Sequence, residues 1–251
     1  MKISIITTTY NSGATVRDTI EGVLKQTYKD YELIIKDGGS KDNTIEICNE
    51  YLATFEGKMK VISCPDKGIY DAMNIGIQAA TGDVVGILNS DDFYTSDDIL
   101  ETIAREMSVP DAPDAIYGDV HYVNGDDLTK SVRYYSSRRF TRKRMLMGYM
   151  PAHPSFYVRR ECYEKYGTFD TSYRVAADFE NLLRLIYVNE ISMRYIQKDF
   201  VTMRTGGASS SGWQSYKRIM KDHFRAFRKN NIPLYYPLYF WRYVEKLFEF
   251  I

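Results

Sequence analysis

Apolar residues along the N-terminal part of the chain follow two alternating rhythms. The continuous β-branched run "KISIITTT" reads as a strand buried on both faces, and Val16, Ile20, Val23 and Leu24 then recur at helical spacing. "YELIIKDGGS" gives a second buried strand, after which Asn43 and Glu46 have capping-box spacing ahead of a helix with Ile45, Cys48, Leu52 and Phe55 on one face. "MKVISCPDKG" predicts a third strand, the stripe Ile69, Met73, Ile77 and Ala80 a third helix, and "DVVGILN" a fourth strand. This alternation predicts an α/β fold, a mostly parallel central sheet flanked by helices. Ligands of such sheets bind beyond the carboxyl ends of the strands. The polar loops "TTTYNSG", "KDGGSKDNT", "PDKGIYDAMNIG" and "NSDD" all fall at that edge.

Farther on, Phe179, Leu182, Leu183 and Ile186 form another helical stripe with Asp178 at its start. "MRTGGASSSGW" reads either as a flap that closes over bound substrates or as a plain linker. In the tail, Trp213, Tyr216, Met220, Phe224 and Phe227 share a helical face, with Lys217, Arg218, Lys221, Arg225, Arg228 and Lys229 on the others, ahead of the aromatic "IPLYYPLYFWRYVEKLFEFI". Residues 213–251 suit a membrane surface, with "RRFTRKRMLMGYM" as a second basic patch, or else pack on the preceding domain or on a homodimer partner.

Composition narrows the class. The 251 residues are 44% hydrophobic and 26% charged, enough for one large core. Lys plus Arg equals Asp plus Glu at 33 each, so no global basic field recruits nucleic acid. Cys48, Cys64 and Cys162 are scattered, without the spacing of a disulfide framework or a zinc site. Polar residues from Thr7 to Asn11 interrupt the apolar start, which reads as a cytoplasmic beginning rather than a signal peptide, and no run of apolar residues is long enough to cross a bilayer.

The chemistry gathers at Asp91 and Asp92, adjacent carboxylates at the mouth of an apolar strand. Two like charges there repel each other and resist desolvation, so a compensating cation is expected. Neither G-x-G-x-x-G nor a P-loop appears, leaving no phosphate cradle of those kinds. A divalent ion on hard carboxylate oxygens can instead hold a diphosphate, and such ligands favour Mg²⁺ or Mn²⁺ over zinc.

Five segments, "TTTYN", "KDGGSKDNT", "DKGIYDAMNIGI", "ATGDVVGILNSDD" and "AADFENLLR", resemble in order and spacing the inverting nucleotide-sugar glycosyltransferases of family 2, which have the GT-A fold. The resemblance covers residues 1 to about 205. It implies a GT-A catalytic domain over 1–210, with a nucleotide-sugar half (1–110) and an acceptor half (111–210), followed by a helical tail over 211–251. It places Thr8, Tyr10, Asn11, Asp37 and Ser40 around the nucleotide, Tyr10 against the base and Asp37 accepting from the base imide. Lys67, Asp71 and Asn74 fall near the diphosphate and sugar, Asp91 on the ribose or sugar, and Asp92 on the metal. Asp178 matches the base that deprotonates the acceptor hydroxyl, and His153, between two prolines, is a further metal or diphosphate contact. Two positions depart from the family pattern: Met73 stands where many relatives carry a basic residue, and Ala177 where many have Glu.

Taken alone, several of these residues have plainer readings. Asp91 also suits a turn, Asp37 and Ser40 an Asx-type turn, and Lys67 a solvated surface. Asp178 suits a helix N-cap, and His153 a hydrogen-bonded structural role. The resemblance implies a hexosyltransferase-type enzyme that moves a sugar, most simply from a UDP-sugar, to a glycan or polyprenyl-linked acceptor in cell-surface polysaccharide biosynthesis, in the cytoplasm or on the inner membrane face. A sugar-phosphate nucleotidyltransferase would want a glycine- and lysine-rich signature that "TTTYNSGATVRD" lacks. A catalytically silent scaffold subunit would not need Asp37, Asp91, Asp92 and Asp178 together.

Overall fold

Strand β1 (Ile3–Thr9) is buried at every position, as an unbroken β-branched run requires when helices cover both faces of a sheet. In the computed structural model, which describes residues 1–125, 127–206 and 212–248, β1 lies parallel between β2 (Tyr31–Asp37) and β4 (Val84–Ile87). Strand β3 (Met59–Ser63) extends the parallel set beyond β2. Helices α1 (Val16–Leu24), α2 (Thr44–Tyr51) and α3 (Ile69–Ala79) make the crossovers. The chain leaves β1 first toward β2 and later returns to β4 on its other side, so the order reverses at β1 and opens a crevice at its carboxyl end.

The second half completes the sheet in the order β3-β2-β1-β4-β8-β6-β9-β5. Strand β8 (Phe156–Arg159) runs antiparallel to both β4 and β6 (Ala115–Asn124), while β9 (Met193–Arg204) runs parallel to β6. Strand β5 (Phe93–Tyr94) closes the edge against β9, and β7 (Asp127–Tyr135) folds back on β6 as a hairpin. Helix α4 (Ile99–Met107) follows β5, α5 (Arg160–Tyr166) follows β8, and α6 (Ala177–Leu182) continues into a π-helical stretch, Leu183–Val188. The expected α/β sheet with flanking helices and a helical C-terminal part is present; its parallel β3-β2-β1-β4 portion is the half read from the strand–helix alternation, and β6 with β9 adds a further parallel pair.

Side chains alternate across the sheet into two cores. Ile3, Ile5, Leu33 and Ile35 join Val16, Ile20 and Ile103 on one face, whereas Ile6 and Ile34 join Met73, Ile77 and Phe179 on the other. Gly76 makes the second arrangement possible, because a Cβ there would sit 2.4 Å from Cγ2 of Ile6, and any side chain would push α3 off the sheet.

Two local expectations change. The capping box at α2 does not form: the Asn43 side chain makes no cap bond, and Asp42 instead accepts from the Thr44 N–H at 3.1 Å. The helix ends at Tyr51, so the apolar stripe outruns it, leaving Ile47 buried in the core and Leu52 38% exposed.

The tail belongs to the same core. Helix α7 (Gly212–Lys229) sets Phe227 edge-on to Phe179 of α6, and α8 (Tyr236–Phe248) buries Tyr239 completely. Arg225 donates to the Ser172 carbonyl at 3.0 Å and Lys229 pairs with Asp170 at 2.7 Å. Packing on the domain accounts for Met220, Phe224 and Phe227 of the α7 stripe, whereas Tyr216 is 57% exposed and the Trp213 side chain lies outside the described residues; Tyr235, Tyr236, Phe240 and Trp241 stay exposed around α8. Among the described residues no helix is long and apolar enough to cross a membrane.

Candidate active site

The four strand-end loops are tied into one rim. Asp37, at the last position of β2, is buried and accepts from the Thr9 hydroxyl at 3.0 Å, the Gly39 and Ser40 N–H groups at 2.9 and 3.0 Å, and the hydroxyls of Ser40 at 2.5 Å and Ser63 at 2.9 Å. Burial alone would raise the pKa of this carboxyl, but these donors outweigh it and hold the group below the usual carboxylate range. Asp37 is thus an ionised acceptor fixed by the Asx-type turn expected of it.

Asn11 adopts a left-handed conformation (φ 51°) that lets its N–H reach the Ser40 hydroxyl at 2.8 Å and its side-chain oxygen accept from Lys41 at 2.9 Å. Thr8 is buried on β1, whereas Tyr10 is 62% exposed, beside Gly38. A Cβ at Gly38 would lie 2.9 Å from Asp66 and 3.4 Å from the Tyr10 ring, so glycine keeps this face open. Ser12 bonds Ser90 at 2.9 Å and joins the first loop to the fourth.

Lys36 was not singled out in the sequence. It is fully buried, and its ammonium donates to the Asp37 carbonyl at 2.7 Å, the Cys64 carbonyl at 2.8 Å and Asp66 at 2.8 Å, which satisfies all three donors and locks the second loop to the third. Its signal was a lone lysine inside an apolar strand.

Asp92 is 1% exposed, and its carboxylate accepts from the Asn89 amide at 2.9 Å. Burial and the charge of Asp91 raise its pKa, and burial raises that of Asp91. Arg204, also absent from the sequence reading, donates to the Asp91 carbonyl at 2.6 Å, pairs with Asp18 and stacks 5.3 Å over Phe93. Its guanidinium is engaged there, and neither Asp91 nor Asp92 forms an ion pair among the described residues. The charge of Arg204 favours ionisation of both carboxyls but does not outweigh burial, and a carboxylate pair left raised without a direct ion pair fits a bound divalent ion. Among the described residues no three His, Cys, Asp or Glu side chains converge as a metal site. Asp92 would supply the protein ligand, and oxygen atoms of a bound diphosphate would complete the sphere.

The third loop is closed by its own backbone and tied to the approach to Asp178. The Asp71 carboxylate accepts from the Lys67 N–H at 2.9 Å, closing the turn before α3, and the Lys67 side chain is exposed. Asn74 does not bond Asp71. Its amide donates to the Phe169 carbonyl at 2.8 Å and accepts from the Phe169 N–H at 2.9 Å, clamping the loop that leads to Asp178. Met73 is buried, so α3 offers no cation at that position.

On the other side of the cleft lies a cavity of about 690 Å³, lined by Asp178, His153, His223, Tyr122 and Met203 among others. Burial raises the phenol pKa of Tyr122, the charge of Arg133 opposes the rise and that of Asp92 adds to it. Asp178 is not a cap: helix α6 has Ala176 at the N-cap, and the Asp178 carboxylate accepts from the Phe179 N–H at 2.8 Å. Burial raises its pKa to about 6, with Asp222 adding to the effect, while the Phe179 N–H and the Tyr70 hydroxyl oppose it. Burial lowers His153 to about 4, so its imidazole is neutral at pH 7, and its ring meets Phe169 edge-on at 5.8 Å. His223 is buried, stacked 3.8 Å from Phe179 and hydrogen-bonded to the Tyr239 hydroxyl at 3.0 Å. His121 bonds Asp199 at 2.6 Å. Residues 207–211 of the expected flap lie outside the described residues.

Comparison with known proteins places the family and the fold. The chain is 30% identical over 193 residues to a PGL/p-HBAD biosynthesis glycosyltransferase of Mycobacterium bovis, covering 77% of this chain and 73% of that protein. Its fold matches Staphylococcus aureus TarS 1–349 with a TM-score of 0.72 at 20% identity, covering 90% of this chain and 65% of TarS 1–349. The same fragment in complex with UDP-GlcNAc gives 0.71 at 19% identity, over 90% and 66%. The mannosyltransferase PcManGT of Pyrobaculum calidifontis, in complex with GDP-Man and Mn²⁺, gives 0.67 at 17% identity, over 90% and 63%. The chain thus spans about two-thirds of the length of these solved structures. The model of the family "Glycosyl transferase family 2" matches residues 4–167, which include all four strand-end loops and the Asp91–Asp92 pair, and the chain belongs to that family.

Proposed function

We propose that the chain transfers a sugar from a nucleotide-sugar donor to an acceptor hydroxyl with inversion at the anomeric carbon. The nucleotide lies on the rim formed by Thr8, Tyr10, Asn11, Asp37 and Ser40, with Asp37 ionised to accept from the base. Asp92 holds Mg²⁺ or Mn²⁺, which when bound neutralises the charge of the departing diphosphate. Asp178 removes the proton of the acceptor hydroxyl as it attacks from the cavity side. Arg204 fixes the backbone of Asp91, and Asn74 fixes the loop ahead of Asp178. His153, neutral in the cavity wall, contacts the metal or the diphosphate through an imidazole nitrogen. One observation carries this reading: buried Asp92 and part-buried Asp91 form no ion pair among the described residues, their carboxyls stay raised despite the charge of Arg204, and Asp178, a half-buried carboxylate of raised pKa, lines a separate cavity.

UDP-GlcNAc bound to TarS and GDP-Man with Mn²⁺ bound to PcManGT define the donor panel. Thermal unfolding in the presence of UDP-sugars and GDP-mannose, with and without Mn²⁺, tests the reading. At about a hundred times its Kd the true donor adds about 2.7 kcal/mol, or roughly 5–10 °C in Tm, and should need the metal to do so. No shift with any nucleotide sugar in either metal condition would refute it.

The exposed aromatic side chains around α8 support contact with a membrane surface, where such rings sit among the lipid headgroups. Deleting the tail is not a clean test, because Phe227 and Tyr239 are core residues. Replacing Tyr235, Tyr236, Phe240 and Trp241 with Ser should abolish sedimentation with anionic liposomes and leave Tm within a few degrees. Equal sedimentation of this variant and the parent would remove the membrane from the reading.

A further inference from the structure

Segment 133–144 carries five arginines, and the structure sorts them into two groups. Arg142 pairs with Glu190 at 3.7 Å and donates to the Glu190 and Ile191 carbonyls, and Arg144 pairs with Glu245. These two pin the segment to its neighbours. Arg133, Arg138 and Arg139 form no ion pair among the described residues, and these three line the cavity that Asp178 lines.

The wall that carries them is anchored. Asp119 is buried on β6, with one carboxylate oxygen accepting from the Ser137 N–H at 2.7 Å and the other from the hydroxyls of Tyr134 and Tyr195, both at 2.7 Å. Asp119 therefore fixes the turn that presents Arg138 and Arg139. Arg133 is held 5.5 Å over the Tyr122 ring. Among the described residues Asp178 is the one carboxylate lining this cavity, against four guanidinium groups: these three arginines and Arg242, which donates to the Gly148 carbonyl at 3.0 Å. A neutral sugar hydroxyl has no use for that excess, whereas phosphate oxygens match guanidinium donors in charge and geometry. The surface is concave, which suits a single phosphate group better than a flat lipid face.

We propose that this wall binds a phosphate group of the acceptor, so that the enzyme glycosylates a phosphorylated acceptor whose anionic group is held by Arg133, Arg138 and Arg139 while its hydroxyl faces Asp178. The proposal rests on the glycosyltransferase reading of the cleft. The same chemistry could be presented by the donor's own diphosphate, and the experiment separates the two sources.

Calorimetric titration of the full chain with hexyl phosphate, with and without saturating UDP and Mg²⁺, provides the test, hexanol being the neutral control. Hexyl phosphate should bind the UDP-loaded protein and hexanol should not. The double variant Arg138→Gln, Arg139→Gln should weaken hexyl phosphate about tenfold or more, since charge-assisted hydrogen bonds are lost, while UDP affinity stays unchanged. Lys143→Gln removes an exposed basic charge of the same segment outside the cavity wall and should leave both affinities as they are. Absence of hexyl phosphate binding, or an equal loss in Lys143→Gln, would overturn the proposal. A parallel loss of UDP affinity in the double variant would overturn it in favour of the donor diphosphate. Failure of UDP itself to bind would instead strike the donor reading, and the titration without UDP would still judge the arginine wall.

Discussion

Asp178→Asn should leave donor binding intact and reduce sugar transfer by about a hundred- to ten-thousandfold, the range expected when a general base is lost. The substitution is well controlled by the local geometry. The Phe179 N–H reaches the Asp178 carboxylate at 2.8 Å, and an amide oxygen can accept that bond equally well. Helix α6 does not rely on Asp178 as its cap. The stability effect has a definite sign. With a pKa of about 6 in the folded protein against the ordinary 3.8, the native state binds the proton more tightly, so ionisation of Asp178 costs stability as pH rises through this window. Asparagine removes that cost, and the melting temperature above the window should not fall. The parent's transfer rate should rise with pH through about 6 and then level off, as the base becomes ionised. Near-normal transfer by the variant at saturating donor would remove Asp178 from the chemistry. The neighbouring acids are poor substitutes: Asp170 pairs with Lys229 at 2.7 Å, and Glu180 is fully buried against Arg184 at 3.3 Å.

The sequence made the N-terminal rim legible because its logic is local. A doubly buried strand announces itself as an apolar run, the loop after it must lie at the sheet edge, and Asp37, Asp91 and Asp92 follow directly from those runs. Interactions across long sequence distances were not legible. Arg204 reaches Asp91 over 113 positions and Lys36 meets Asp66 over 30, and no spacing rule links them. The Asn74 amide closes on Phe169, 95 positions away, a contact that no local pattern announces. His223 carried no motif because its place depends on the docking of α7 against Phe179, a packing event between aromatic faces. The amphipathic stripe of α7 could equally have met lipid or protein, since both reward the same apolar face. The arginine wall was visible only as a basic run, and which guanidinium groups remain without ion pairs depends on where Glu190 and Glu245 fall in three dimensions.

Asp92→Asn should remove the metal-dependent part of UDP binding and lower transfer by about a thousandfold or more, because the leaving diphosphate loses a charge partner worth several kcal/mol. The fold should survive the change. Asp92 is buried beside Asp91 without a direct ion pair among the described residues, and burial and that neighbour raise its pKa more than Asn89 and Arg204 lower it, so its ionised form is a burden on the metal-free protein. An asparagine oxygen can still accept from the Asn89 amide, which Asp92 meets at 2.9 Å. The metal-free variant should therefore melt no lower than the metal-free parent, while Mn²⁺ with UDP should stabilise the parent alone. That contrast separates loss of a ligand from loss of structure, because a merely structural Asp92 would lower Tm equally with and without metal. Retention of Mn²⁺-dependent UDP binding by Asp92→Asn would move the metal off this residue. Asp91→Asn offers the complementary measurement: if Asp91 contacts the ribose or sugar, its variant should weaken donor binding to a similar degree with and without Mn²⁺.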